Sequence, residues 1–236
     1  MNLSGKTAIV TGASDGIGKQ VAIKLADQGV NLALIGRDSF RLNQVKNAIK
    51  KLNSSLKVET YSCDIRNSRQ LAKTASLIIS DFKNIHILIN VAGIWQKMMP
   101  VEELPENVVD DVISTNLTAL IHVTRLVIPI LRKQREAAII NVSSKSGVTA
   151  QAGQSVYSAS KWGVRGFTEV LKIDLKNTGI KVAGVYQSGI NTKMFEKTGE
   201  KVPSEKFTNP ADLAEVIVYI LSQPEKIWLH EVRVEY

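Results

Sequence analysis

KTAIVTGASDGIGKQVAIKLADQG, Lys6 to Gly29, reads as a strand, a glycine turn and a helix in direct succession. The apolar run KTAIVTG predicts the strand, and GIGKQVAIKLADQG the helix, closed by Gly29. Between them TGASDGIG, Thr11 to Gly18, carries glycines at 12, 16 and 18. Such a turn lets the backbone approach a ligand where a Cβ would clash. The helix that follows aims its free N–H groups and positive dipole end into the turn. A pyrophosphate suits that place, cradled by Gly12, Ser14, Asp15, Gly16, Ile17 and Gly18. An ordinary glycine-rich turn has the same composition. The position after a first strand and before a helix is what favours a dinucleotide.

Working outward, NLALIG (Asn31 to Gly36) is a second strand, and Asp38 is placed to cap a helix running to about Leu52. The end of the second strand is where such a sheet reads the adenosine ribose. A carboxylate there would take both ribose hydroxyls. This chain has Arg37, whose guanidinium can pair with a 2′-phosphate, so NADP is favoured over NAD. A solvated charge at a helix start is the plainer reading of Arg37. Asp15 adds no attraction for the extra phosphate.

The same alternation continues. LKVETYSCD is a strand, RQLAKTASLIISDF a helix and HILINVAG a strand. A long helix is expected from about Glu106 to Arg132, a strand at AIINVSS, a helix from Tyr157 to Asn177 ended by Gly179, and a strand at IKVAGVYQSG. Pro210 opens a last helix, and IWLHEVRVEY is a final strand. Continuous apolar strands separated by helices imply an α/β fold: one doubly wound parallel sheet of about seven strands, Rossmann-like, covered on both faces. All 236 residues are expected to form a single domain, with 189–209 as a loop of the length used for lids.

Composition sets the outer limits. With 44% hydrophobic and 22% charged residues, the chain can bury a sizeable core. Its one cysteine, Cys63, allows no intrachain disulfide and suits a reducing cytoplasm. The N-terminal stretch does not have the pattern of a signal peptide. The most apolar long segment, LIHVTRLVIPIL, is broken by His122, Arg125 and Pro129, so no membrane span is expected. The net charge is +8, but the cations are scattered, which argues against nucleic acid and for attraction of an anionic cofactor or substrate. His86, His122 and His230 are isolated and lack metal-ligand spacing. Asp110 and Asp111 read as helix surface, and Trp95, Met98 and Met99 as pocket rim or core.

A second stretch, SVYSASKWGVRGF, sets Tyr157 four residues before Lys161, on one face of a helix. At this point the sequence resembles the short-chain dehydrogenase/reductase family over nearly its whole length. The motifs occur in that family's order: TGASDGIG, CDI around Asp64, NVAG at Asn90 to Gly93, Asn116 in STNL, NVSS ending at Ser144, and YSASK. The resemblance implies a nicotinamide cofactor, reversible carbonyl–alcohol hydride transfer, and a catalytic site of Asn116, Ser144, Tyr157 and Lys161. Tyr157 would donate the proton to the developing alkoxide. A free tyrosine titrates near 10, and Lys161 is expected to favour the phenolate. Ser144 would hydrogen-bond the substrate oxygen. Ser143 is the neighbouring alternative, and family spacing selects Ser144. The resemblance also gives Asn116 a water relay and Lys161 the nicotinamide ribose. It places Asp64, with Ile65, at the adenine edge, Asn90, Ala92 and Gly93 along the adenosine, and Gly189, Ile190 and Thr192 at the carboxamide. Ser188 stands where the family usually has proline, and Val91 replaces a common asparagine.

The leading expectation is an NADP-dependent carbonyl reductase. The chain is similar in size and motifs to 3-oxoacyl-carrier-protein reductases, although LHEVRVEY lacks their usual Asp-Gly-Gly ending. Alcohol oxidation and a non-catalytic NADP-binding regulator are the other readings. By resemblance, two long helices would pair in a homodimer or homotetramer.

Overall fold

The computed structural model describes residues 1–235. Seven parallel strands form one sheet: β1 (Thr7–Thr11), β2 (Asn31–Gly36), β3 (Val58–Ser62), β4 (Ile87–Asn90), β5 (Ala137–Val142), β6 (Ile180–Gln187) and β7 (Glu231–Val234). Their order is β3-β2-β1-β4-β5-β6-β7. The chain winds outward one way from β1 to β3, then crosses back and winds the other way from β4. The place where direction reverses lies between β1 and β4, and ligands of such sheets bind outside the strand ends there.

The helices are α1 (Gly16–Asp27), α2 (Ser39–Leu52), α3 (Ser68–Phe82), α4 (Glu106–Ile113), α5 (Ala119–Leu131), α6 (Ser155–Asp174) and α7 (Pro210–Ser222). Strand side chains alternate between faces. In β1, Ala8 and Val10 enter one core with Val21 and Leu25 of α1 and Ile217 of α7. Ile9 enters the other, with Leu71 of α3, Val123 and Val127 of α5 and Leu171 of α6. The central strands are buried on both faces, so they read as unbroken apolar runs; all five residues of β1 are buried.

Several expected bounds shift. Glu106 to Leu131 is one continuous helical rod, but Ser114–Thr118 makes a π-helical turn between α4 and α5. By length and composition this 26-residue rod could cross a membrane. Its Val123, Val127 and Leu131 instead pack in the core. Helix α6 begins two residues earlier than expected and ends at Asp174. The last strand is only Glu231–Val234; Tyr236, included in the expectation, lies outside the described residues. The 189–209 segment holds two short 3₁₀ turns, Glu196–Thr198 and Ser204–Lys206, and a bridge pairs Ile190 with Thr208.

Candidate active site

A cleft of about 390 Å³ opens at the strand ends around the reversal point. Gly12, Ser14, Asp15, Gly16, Ile17, Gly18, Arg37, Asp64, Ile65, Ala92, Gly93 and Thr192 all line it. Gly12 has φ +69°, and a Cβ there would meet the Ala92 backbone at 2.9 Å. The turn therefore needs glycine both for conformation and for space. Asp15 caps α1, accepting from Gly16 N at 2.8 Å. Its other oxygen faces Arg41 at 3.3 Å and Lys197 at 3.6 Å. The acid in the turn is thus offset by two cations, one on α2 and one on the 189–209 segment.

At the far wall, Arg66 grips Asp64 with Nε and Nη2 at 3.0, 3.1 and 2.7 Å, and reaches Asp111 with Nη1 at 2.5 Å. Arg66, foremost through its side-chain hydrogen bond, holds the Asp64 carboxyl below the usual carboxylate range. The Asp64 carboxylate is therefore already engaged by a guanidinium. Arg66 and Asp111 both line the cleft. Asp111, read from the sequence as plain helix surface, belongs to this wall.

Of the cofactor positions expected from the resemblance, Lys161 stands behind the cleft lining, and Asn90, Gly189 and Ile190 lie away from it. Asn90 is buried and turns into the core, donating from Nδ2 to Thr124 Oγ1 at 3.0 Å and Asn141 Oδ1 at 2.9 Å. One step of strand alternation decides this: Asn90 faces α5, as Leu88 does. Gly189 packs under the Phe207 ring, where a Cβ would meet carbon atoms at 2.7 Å. Ile190 is buried in the core beside its bridge partner Thr208.

The four catalytic candidates converge behind the cleft. Strand β5 delivers two serines with different tasks. Ser143 Oγ donates to the Lys161 carbonyl at 3.1 Å, a structural bond between β5 and α6. Ser144 Oγ accepts from Ser146 N at 3.1 Å and is hydrogen-bonded to the Tyr157 hydroxyl. Lys161 Nζ lies 5.6 Å from the centre of the Tyr157 ring. A Cβ on Gly93 would stand 3.6 Å from Nζ and 3.2 Å from Asn116 Oδ1, so glycine there leaves these groups room to meet. Asn116 sits in the π-helical turn. It accepts from Ile94 N at 2.8 Å and donates to Ile94 O at 3.0 Å and Ser160 Oγ at 3.2 Å. A π turn shifts the residues that follow it relative to a regular helix, and such turns recur at functional sites.

Burial dominates the titration of the pair. Tyr157 and Lys161 are each 5% exposed. Desolvation pushes the Tyr157 phenol up to about 12, against a smaller downward pull from the Ser144 hydrogen bond. Desolvation brings the Lys161 ammonium down to about 8. The net shift of the phenol is therefore upward and not below 10 as expected, because burial outweighs the groups that favour the phenolate. The ammonium lies over the ring and forms no direct bond with the hydroxyl that would outweigh the dry surroundings.

An aromatic wall closes the site. Trp95 meets Tyr157 edge-on at 4.5 Å and Phe195 at 5.0 Å, and Phe195 lies 5.7 Å from Phe207. Trp95 Nε1 donates to Glu200 on the 189–209 segment. Gln96 is wholly buried beside it. From the sequence Trp95 reads as pocket rim or core, and Gln96 carries no signal. Their partners are over 50 residues away, and no local pattern announces them.

Comparison with known proteins agrees with this geometry. The profile of the short chain dehydrogenase family matches residues 6–203. An uncharacterized oxidoreductase of Staphylococcus epidermidis is 32% identical over 231 residues, 97% of this chain and 96% of that one. The 3-oxoacyl-acyl-carrier-protein reductase FabG of Thermotoga maritima is 32% identical over 230 residues, 94% of this chain and 92% of that one. A metagenomic short-chain oxidoreductase, solved in complex with NADP, superposes with a TM-score of 0.85 at 28% identity, covering 100% of this chain and 99% of that one. The chain belongs to the short-chain dehydrogenase family.

Proposed function

We propose that this protein is an NADP(H)-dependent oxidoreductase that interconverts a carbonyl and an alcohol, with Tyr157 as the general acid and base. The observation that carries this reading is the meeting of Tyr157, Ser144 and Lys161 behind one end of a cleft whose other end is the glycine turn of α1. The residues present suit an elongated anionic dinucleotide: a glycine cradle at a helix N-terminus, and Arg37 at the end of β2. Such a cofactor would supply or accept the hydride. Arg37, with Arg41 close by on Asp15, would take the 2′-phosphate.

The rest follows from the chain's own groups. With its phenol near 12, Tyr157 holds its proton at neutral pH and is ready to donate it to a developing alkoxide. Ser144 shares that hydrogen bond and would steady the substrate oxygen as charge grows. Lys161, charged below about pH 8, favours the phenolate left behind and would bind the nicotinamide ribose. Trp95 and Phe195 exclude water. Residues 189–209 act as the substrate lid of a single domain, 1–236. A 3-oxoacyl thioester is the second substrate reading, favoured by the likeness to the Thermotoga maritima reductase. We further infer a cytoplasmic homodimer or homotetramer.

The test is consumption of NADPH, and separately NADH, against ketones, diketones, sugars and 3-oxoacyl thioesters. Turnover preferring NADPH supports the reading, and the best carbonyl names the substrate class. Turnover preferring NADH removes the role given to Arg37. Cofactor binding without turnover across the panel counts against an enzyme.

A further inference from the structure

Helix α6 carries Tyr157 in its first turn, and the preceding Gln154 provides no side-chain cap. The first N–H groups of a helix have no partner inside it and must find one elsewhere. The Tyr157 N–H donates to Gln96 Oε1 at 2.7 Å. The other end of the same amide, Nε2, donates to the Gly153 carbonyl at 3.1 Å. Gln96 is 0% exposed. A side chain from the loop after β4 therefore caps a helix that begins far along the chain. Its orientation is dictated by its partners, since an N–H needs the oxygen and a carbonyl needs the NH₂.

The surroundings tie this bond to the reacting groups. Asn116 brackets Ile94, two residues before Gln96, through both its backbone groups. Asn116 also reaches Ser160 Oγ, which donates to the Tyr157 carbonyl at 2.7 Å. The backbone of Tyr157 is thus held at its N–H by Gln96 and at its C=O by Ser160.

We propose that Gln96 is a positioning residue for proton transfer: through the Tyr157 N–H and the Gly153 carbonyl, it fixes where the phenol stands relative to Ser144 and Lys161. This rests on the reading of Tyr157 as the acid and base. Both ends of the Gln96 amide are spent on backbone, so it does not act on substrate. A hydrocarbon side chain would leave the buried Tyr157 N–H without its partner and the Gly153 carbonyl with the Met99 N–H alone. The start of α6 would then settle elsewhere, and a misplacement of about 1 Å at a reacting group costs up to about 100-fold in rate.

Two variants test it, measured on the substrate that the carbonyl panel selects. Gln96→Leu removes both bonds. Its kcat should fall by about 10-fold to about 100-fold, while the Kd for NADPH stays within about twofold. Hydrogen exchange at the Tyr157 amide should quicken. Gln96→Glu provides an internal rescue. Protonated, its carboxyl accepts from Tyr157 and donates to Gly153, as the amide does. Ionised, it loses the donor. Burial raises such a carboxyl to about 6–7. The variant should match wild type at about pH 5.5 and lose rate by about pH 7.5, a limb the wild type lacks. An ionised carboxyl at position 96 would shift Tyr157 and Lys161 upward, away from this pH window, so neither accounts for a loss of rate between about pH 5.5 and 7.5. A wild-type kcat in Gln96→Leu, or a Gln96→Glu profile that overlays wild type, overturns the proposal. If Gln96→Leu does not fold, the Gln96→Glu profile decides. Tyr157→Phe is run alongside. Turnover at the wild-type rate there removes the reading of Tyr157 and the proposal with it. An inactive Tyr157→Phe beside a fully active Gln96→Leu removes the role of Gln96 alone.

Discussion

Lys161 is a cation kept in a place that disfavours cations. Its ammonium is brought down from 10.5 to about 8 by burial. By linkage, a depressed lysine leaves the fold carrying a penalty wherever the group is charged, here at and below about pH 8. The penalty disappears as pH rises from about 8 to the unfolded value of about 10.4. Lys161→Met should therefore be more stable than wild type at pH 7, by up to about 3 kcal/mol, and almost inactive. Denaturant unfolding at pH 7 and pH 10 checks this, with the difference shrinking at the higher pH. The same titration predicts that carbonyl reduction declines above about pH 8, where Lys161 loses its charge while Tyr157 still holds its proton. Arg37 gives a separate prediction. Arg37→Asp should weaken NADPH binding by about 10-fold to about 100-fold, the worth of a charge-assisted bond, and leave NADH binding no weaker. Fluorescence titration with each cofactor reads it.

At the scale of elements, the 189–209 segment, proposed here as the lid, is held at two points. Trp95 Nε1 donates to Glu200, and Lys197 pairs with Asp15 in the glycine turn. Trp95→Phe keeps a ring against Tyr157 but removes the N–H. Opening of the lid should become about tenfold more frequent, seen as faster tryptic cleavage at Lys197 and Lys201. Much of this region's framework was legible in the sequence. The β1-turn-α1 unit and the Asp38 cap are local patterns. The Asp38 side chain accepts from Arg41 N as a cap should. The rest depends on contacts that no short pattern encodes. The π turn at Ser114–Thr118 is marked by no glycine or proline in STNLT, so no breaker signals it. Asn90 lies one alternation away from the face it was expected to line. Gln96, Arg66 and Asp111 become meaningful only when the sheet brings distant loops to one cleft. Tyr157 and Lys161 were placed together correctly, but the sign of the phenol shift needed the burial that only the fold reveals.

Across the whole molecule, the order of strands puts the glycine turn, the Asp64 wall and the β5 serines at one end of one sheet. Helix α6 serves this site with its first two turns and shows an apolar outer face from there on: Trp162 is 46%, Val170 55% and Ile173 74% exposed. That face suits the expected pairing of chains. Ile173→Glu should shift sedimentation toward the monomer, whereas an unchanged profile would place any interface elsewhere. The central claim is that Tyr157 moves the proton, and the most direct measurement is kcat for wild type and Tyr157→Phe on the best carbonyl, with NADPH affinity measured in parallel. The expected result is a fall of about 100-fold to about 10,000-fold in kcat at an NADPH Kd within about threefold of wild type. A Tyr157→Phe enzyme that turns over at the wild-type rate would contradict it.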